Sequence, residues 1–502
     1  MKNKVYTTAT VITALATAER GLGFLYRIVL SRLIGAEGLG LYQVSLSVFS
    51  LFLTIGTGGL PITLSRIIAR HRADQNARAE TQSVSAGLYI TLFLTVPVFI
   101  TLWLFAPKFH FLFTGGGTAS VFRILLLGLC FSALYAVIKG SFWGKKEFLL
   151  PAIIDIAEET VMVLVGVLLL QRVNSPLSGA EKAAWAVVIS YLFSFALAFL
   201  FFLIKGGKIS TPKKQLKPLF NASLPITSVR ACGSLVSSAV AILLPALLVR
   251  NGLSESDALK LFGIVSGMVL PILFIPSTVI GSLSLVLVPE LSEDFYKNNQ
   301  ARLRKNILRG LRFSFLIACA LIPFFYALGA DVGRIAFSSH TAGEIIVKSC
   351  PMLLPMSLTL ISTGILNSMG FEKRTFCHYF IGAAALLLCV LILPQFYGIY
   401  AYVIGLFCSY VINALFNLVF LYKQCPFFKK ARGQVRVHRV IIALICVLPL
   451  SLFGQFIHTL SQSFFGELFA LPISTLAIAA ATALLYLLLG IFPIRRKKTA
   501  LA

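Results

Sequence analysis

A chain of 502 residues that is 58% hydrophobic and only 12% charged, with a mean hydropathy of +0.90, is not composed like a soluble globular protein. The net charge of +26 would suit nucleic-acid binding in a soluble protein. Here the basic residues sit in short clusters between apolar runs, as the positive-inside rule requires, so the sequence predicts a membrane protein and no nucleic-acid partner. Apolar runs of roughly 20 residues, the length that spans a bilayer, recur from end to end. Backbone polar groups in lipid must be satisfied within the segment, so the fold class is all-α and polytopic.

Taken in order, the chain opens with Lys2 and Lys4 and an apolar run, but Glu19 and Arg20 follow and the apolar pattern then resumes. This reads as an uncleaved first helix, not a signal peptide. Fourteen transmembrane helices are predicted, at 5–33, 39–64, 83–106, 119–142, 150–171, 183–204, 220–249, 259–288, 307–328, 343–367, 375–394, 397–422, 438–460 and 468–492. With the N-terminus inside, 32 of the lysines and arginines fall on the cytoplasmic side and 8 on the outer side. That asymmetry sets the orientation and places both termini in the cytoplasm.

Two landmarks repeat. Ser65 at the end of the second helix aligns with Ser292 at an offset of 227, and Gly144 at the end of the fourth aligns with Gly370 at an offset of 226. The chain therefore divides into a six-helix lobe at 1–205, a second at 206–423, and two additional helices with a basic tail at 424–502. An even helix number gives both lobes the same orientation, with a pseudo-twofold axis along the membrane normal and the substrate path between them.

Charge within the spans is the main chemical signal, because an ionisable side chain at the bilayer centre costs about 2.5–3.5 kcal/mol on insertion scales. Arg20 lies in the middle of the first span and Arg27 two helical turns beyond it, on nearly the same face. Arg230 lies in the leading helix of the second lobe, followed like Arg20 by a glycine three residues on. A structural arginine bonded to a neighbouring carbonyl or carboxylate is the plain alternative for each. A permanently charged, bidentate guanidinium suits a phosphate or pyrophosphate headgroup. Asp155, Glu158 and Glu159 share one face of the fifth span, and Glu19 adjoins Arg20. These four acids read as charge partners of the arginines or as coupling groups for H⁺ or Na⁺. Arg123, near the end of its span, reads as a snorkelling side chain.

Gly56, Gly58, Gly59 and Pro61 are expected to break the second span, Pro271, Pro276 and Pro289 the eighth, and Pro351 and Pro355 the tenth. The nine cysteines are scattered without a C-x-x-C pair and read as reduced apolar residues. The six histidines share no ligand spacing, so no metal site is expected. Walker, H-E-x-x-H and G-x-S-x-G motifs are absent from the sequence, so no enzyme activity or cofactor is expected. Transport would draw on an ion gradient or the membrane potential.

The run GLGFLYR from Gly21 to Arg27, followed by RLIGAEGLGLYQ from Arg32 to Gln43, resembles the opening of the stage V sporulation protein B family. That family belongs to the polysaccharide-exporter branch of the MOP (MATE-like) flippase superfamily. GLPITLS from Gly59 and PITSVR from Pro225 are similar to it more loosely. The resemblance implies a two-lobed flippase of the bacterial cytoplasmic membrane. Its expected cargo is an undecaprenyl-linked saccharide such as lipid II, a cell-wall or spore-cortex peptidoglycan precursor, moved by alternating access. Its partners would be that lipid-linked saccharide and membrane lipids. Related lipid II flippases use basic residues of the first helix in a cationic cavity, which points to Arg20. They also carry an acid early in the second helix, where Leu39 to Leu64 has none. The last two helices suit a groove for a polyprenyl tail.

Two other readings fit the composition: a cation-coupled multidrug exporter of the same superfamily, and a non-transporting scaffold that recruits wall-synthesis enzymes.

Overall fold

The computed structural model of the protein describes residues 2–105, 113–212, 214–425 and 442–488, and every regular element among them is helical. In chain order these are α1 (Lys2–Thr57), α2 (Leu60–Ala73), α3 (Ala77–Phe105), α4 (Gly116–Leu127), α5 (Leu129–Gly144), α6 (Leu149–Leu170) and α7 (Pro176–Ile204). Then come α8 (Leu216–Arg250), α9 (Glu255–Gly263), α10 (Leu270–Leu273), α11 (Ile275–Tyr296), α12 (Gln300–Phe337), α13 (His340–Ser349) and α14 (Leu353–Ser368). The last are α15 (Glu372–Ile392), α16 (Pro394–Tyr397), α17 (Tyr400–Gln424) and α18 (Val447–Leu488). Lys108, Lys213, the basic residues from 429 to 439 and the tail with Arg495 to Lys498 lie outside the described residues, as do residues 438–441 and 489–492 of the last two expected helices.

Among the described residues, 11 helices are long and apolar enough to cross a membrane, or 12 if α4 and α5, bent by 40° at Gly128, form one crossing. The chain is a multi-pass membrane protein. Its breaks fall where the local chemistry allows them. Gly35, at φ 72° and ψ 178°, leaves the helical conformation and divides α1 into two helical stretches, between the first two expected spans. At Gly40 an added Cβ would collide with the Leu259 carbonyl group, so α9 packs on α1 at backbone distance. α1 ends at Thr57 and α2 begins at Leu60 with Pro61 in its first turn, which locates the break expected from the glycines there. A π-turn at Ile264–Val269 precedes Pro271, and Phe274 separates α10 from α11 just before Pro276. α11 continues across Pro289, against the expectation of a break there, so one missing backbone donor was not enough to end that helix. A 3₁₀ turn at Cys350–Met352 contains Pro351.

The chain forms two compact units. The first takes in residues 1–268 with Val390–Ile399. Its core joins α2, α3, α5, α6 and α7 through Leu64, Ile68, Val84, Ile138, Phe142, Ile154 and Phe202. The second takes in Val269–Cys389 and residues 400–502. Its core is built on α11, α12, α14 and α17 around Leu291, Ile307, Ile361, Leu366 and Leu421. α18 packs on α12 through Ile478, Ala327 and Leu328. All nine cysteines are free thiols.

Candidate functional site

The first unit gathers the charges of α1, α5 and α6. Asp155, on the first turns of α6, accepts hydrogen bonds from Lys139 Nζ (2.6 Å) and Tyr135 Oη (2.6 Å), both on α5. Tyr135 and Lys139 are four residues apart, so they stack on one face of α5. The ammonium group also sits 5.7 Å and 5.4 Å from the ring centroids of Tyr135 and Trp143. Aromatic faces and a carboxylate together compensate a cation removed from water. Lys139, one of the 32 basic residues that the charge asymmetry assigns to the cytoplasmic side, is the partner of Asp155.

Glu159, one turn further along α6, comes against α1. Its Oε1 lies 2.7 Å from where a Cβ on Gly23 would be, so the glycine lets the carboxylate approach the helix backbone. It stands within electrostatic reach of Glu19 and Arg27. Glu19 in turn lies within reach of Asp155, Lys139 and Arg20. Glu158 points toward α7, within hydrogen-bonding reach of Ser194. The structure thus brings Glu19, Asp155, Glu158, Glu159, Arg20 and Arg27 to one region, with Lys139 added. Among the described residues only Asp155 of the four acids enters a salt bridge. Glu19, Glu158 and Glu159 are half-buried, whereas Arg20 and Arg27 are exposed. Tyr26, one residue before Arg27, is buried against Gly166 of α6, and its hydroxyl has no hydrogen-bond partner among the described residues.

Arg230 belongs to a second group, where α8 meets the α1–α2 junction. Its guanidinium donates to the Gly58 carbonyl (2.9 Å), a group freed by the helix break. One turn earlier on α8, Thr227 Oγ1 accepts from the Gly59 amide (2.9 Å). One turn later, Ser234 pairs with Thr54 (2.9 Å), and Ser238 donates to the Ser47 carbonyl (2.7 Å). The remainder of the Arg230 side chain is exposed. Arg123, at 4.5 Å from the Trp103 ring centroid, rests on an aromatic face.

Sequence reasoning passed over one further cluster, in the second unit. Asp331 on α12 accepts from Arg334 (2.9 Å), from Gln462 on α18 (3.3 Å) and from His458 Nε2. The other ring nitrogen of His458 is 3.2 Å from Ser474 Oγ. A lone histidine and a lone aspartate 127 positions apart give no spacing signal.

The profile of a family described as polysaccharide biosynthesis protein matches residues 6–295. Stage V sporulation protein B of Bacillus subtilis (strain 168) is 25% identical over 97% of this chain and 95% of its own. Lipid II flippase MurJ of the same organism is 20% identical over 89% of this chain and 87% of its own. Among solved structures, lipid II flippase MurJ in an inward closed conformation superposes with a TM-score of 0.72 at 16% identity, covering 96% of this chain and 98% of that one. An inward-facing multidrug resistance MATE transporter of the MOP superfamily superposes with a TM-score of 0.67 at 15% identity, over 82% and 96% of the two chains.

Proposed function

Because the chain belongs to the polysaccharide biosynthesis protein family, we propose that it is a membrane flippase, not an enzyme, and that its cargo is an undecaprenyl-linked saccharide. The cargo is a lipid II-like precursor of cell-wall or spore-cortex peptidoglycan, carried across the bacterial cytoplasmic membrane by alternating access. Fourteen crossings result if α1 is two spans divided at Gly35, α4–α5 is one, and the acid-bearing α6 is another; an even number puts both termini on one side, and the lysine and arginine asymmetry favours the cytoplasm. The six-helix lobes at 1–205 and 206–423 are the repeats that would rock against each other, with helices in 424–502 added to the second.

The observation that carries this reading is the exposure of Arg20 and Arg27 within a helix apolar enough to cross a membrane. Exposed guanidinium groups at such depth require a wet cavity or an anionic ligand, and phosphate satisfies their fork geometry. Arg230 contributes through the part of its side chain not committed to Gly58. Glu19, Glu158 and Glu159 supply the coupling side, binding H⁺ or Na⁺ as the arginines load and unload. The acids by themselves would also serve a cation-coupled drug exporter, and the arginines separate the two.

The test is complementation of a strain depleted of its lipid II flippase, scored with labelling of outward-facing lipid II. The wild-type chain is expected to restore both growth and labelling, and Arg20→Ala with Arg230→Ala to abolish both at unchanged expression. Full activity in the double variant would sink the headgroup role. Protection against drugs without lipid labelling would move the assignment to drug export.

A further inference from the structure

One cavity of the first unit lies along the same pair of helices as Arg230. It has a volume of about 360 Å³ and is walled by α1, α3, α4 and α8, with Phe52, Phe122, Leu235, Ala239 and Leu243 among its lining side chains. That volume falls within the roughly 300–1,000 Å³ typical of small-molecule sites. Ser238 is the one hydroxyl-bearing residue of the lining, and its Oγ is already spent on the Ser47 carbonyl.

The order of groups along α1 and α8 is the informative feature. At one end Arg230 holds the Gly58 carbonyl. Next comes the hydroxyl pair of Ser234 and Thr54, and then the bond from Ser238 to Ser47. The numbers rise on α8 as they fall on α1, so the two stretches run antiparallel and leave Arg230 together. The cavity is lined by Leu235 to Leu243 on α8 and by Val48 to Phe52 on α1. At 1.5 Å per residue it starts about 8 Å from Arg230 along α8 and extends to about 20 Å. A permanent cation is therefore followed, over the length of a short chain, by walls that offer no free polar group.

Resting on the flippase reading above, we propose that this cavity receives the phosphate-proximal isoprenoid units of the carrier lipid while Arg230 meets the phosphate. The chemistry points to this occupant in two ways. An anion joined to an apolar chain matches the charge at one end and the walls beyond it. A free sugar or a free phosphate would leave the apolar walls without contacts, and cavity walls lacking partner atoms forfeit dispersion energy. The rest of a long polyprenyl tail would continue into lipid.

The test uses the full chain in detergent micelles and a short polyprenyl phosphate with a diazirine on its second isoprene unit. After photolysis, labelled peptides are mapped by mass spectrometry. Labelling is expected on 48–52 and 235–243, to fall about tenfold in Arg230→Ala, as loss of a charge-assisted contact predicts, and to be largely retained in Arg230→Lys. Ala239→Trp, which fills the cavity, should remove the label from both segments. Should that variant fail to fold, competition on the wild type decides: unlabelled polyprenyl phosphate must suppress the signal and phosphatidylglycerol of equal concentration must not. Label concentrated on α18, label spread evenly over the helices, or equal suppression by phosphatidylglycerol would each overturn the assignment. The probe carries no saccharide and nothing is transported, so a failed flippase assay with this pattern intact would count against the transport reading alone.

Discussion

Asp155 and Asp331 are both carboxylates held within apolar helix packing, yet their surroundings differ. Asp331 is held on both of its oxygens, on which Arg334, Gln462 and His458 converge. Asp155 is as well paired, through Lys139 and Tyr135, but three more acids stand around it without a salt bridge among the described residues. Unpaired acids in a membrane helix are costly, and burial penalties of that kind persist where a function needs them. Buried charge by itself says little about function. What distinguishes a candidate working site from a clamp is charge left without a fixed partner, as at Glu19, Glu158 and Glu159, which enter no salt bridge among the described residues.

The largest effect is expected at Lys139. Replacing Lys139 by Ala strands Asp155, whose side chain is 17% exposed, and should cost about 3–5 kcal/mol. Thermal unfolding of the purified protein would read this, and Lys139→Ala with Asp155→Ala should lie closer to wild type than Lys139→Ala does. Strictly additive losses would show that the pair does not interact. A smaller loss is expected from His458→Ala, about 1–3 kcal/mol for the donors and acceptor left unmatched between α12 and α18. Complementation should survive this change at equal expression. If activity falls more than stability explains, the second cluster is not merely a clamp. The smallest effect on stability belongs to Glu159→Gln, which preserves shape and breaks no salt bridge, within about 0.5 kcal/mol of wild type. If Glu159 is a coupling group, flipping should nevertheless lose its dependence on the H⁺ or Na⁺ gradient in liposomes; retention of that dependence would return Glu159 to a structural role.

Much of the site was legible because it follows helical spacing. Asp155, Glu158 and Glu159 occupy one face by periodicity alone, and Arg20 and Arg27 are conspicuous in any apolar run. Lys139 was missed because the residues around it resemble the edge of a basic loop, and Lys145 and Lys146 follow closely. Its spacing of four from Tyr135 was the available signal: an aromatic hydroxyl and an ammonium on one helix face, both able to donate to a single acid. Nothing comparable marked the partners of Arg230. The carbonyl it meets is a backbone group, and every residue has one.

The sequence alone determined that the chain is an all-helical, multi-pass membrane protein, because hydrophobic length acts locally and needs no knowledge of neighbours. It also determined that charges lie within the spans, since composition suffices to see them. Only the tertiary structure decided which charges are neutralised. Lys139 and Asp155, Gly23 and Glu159, and Arg230 and Gly58 lie on different helices or far apart in the chain, and pairing between helices depends on rotation and depth, which residue order does not encode. The first helix stands out in sequence for its charges; in the fold Glu19 lies within electrostatic reach of Glu159 on α6, while Arg20 and Arg27 are exposed.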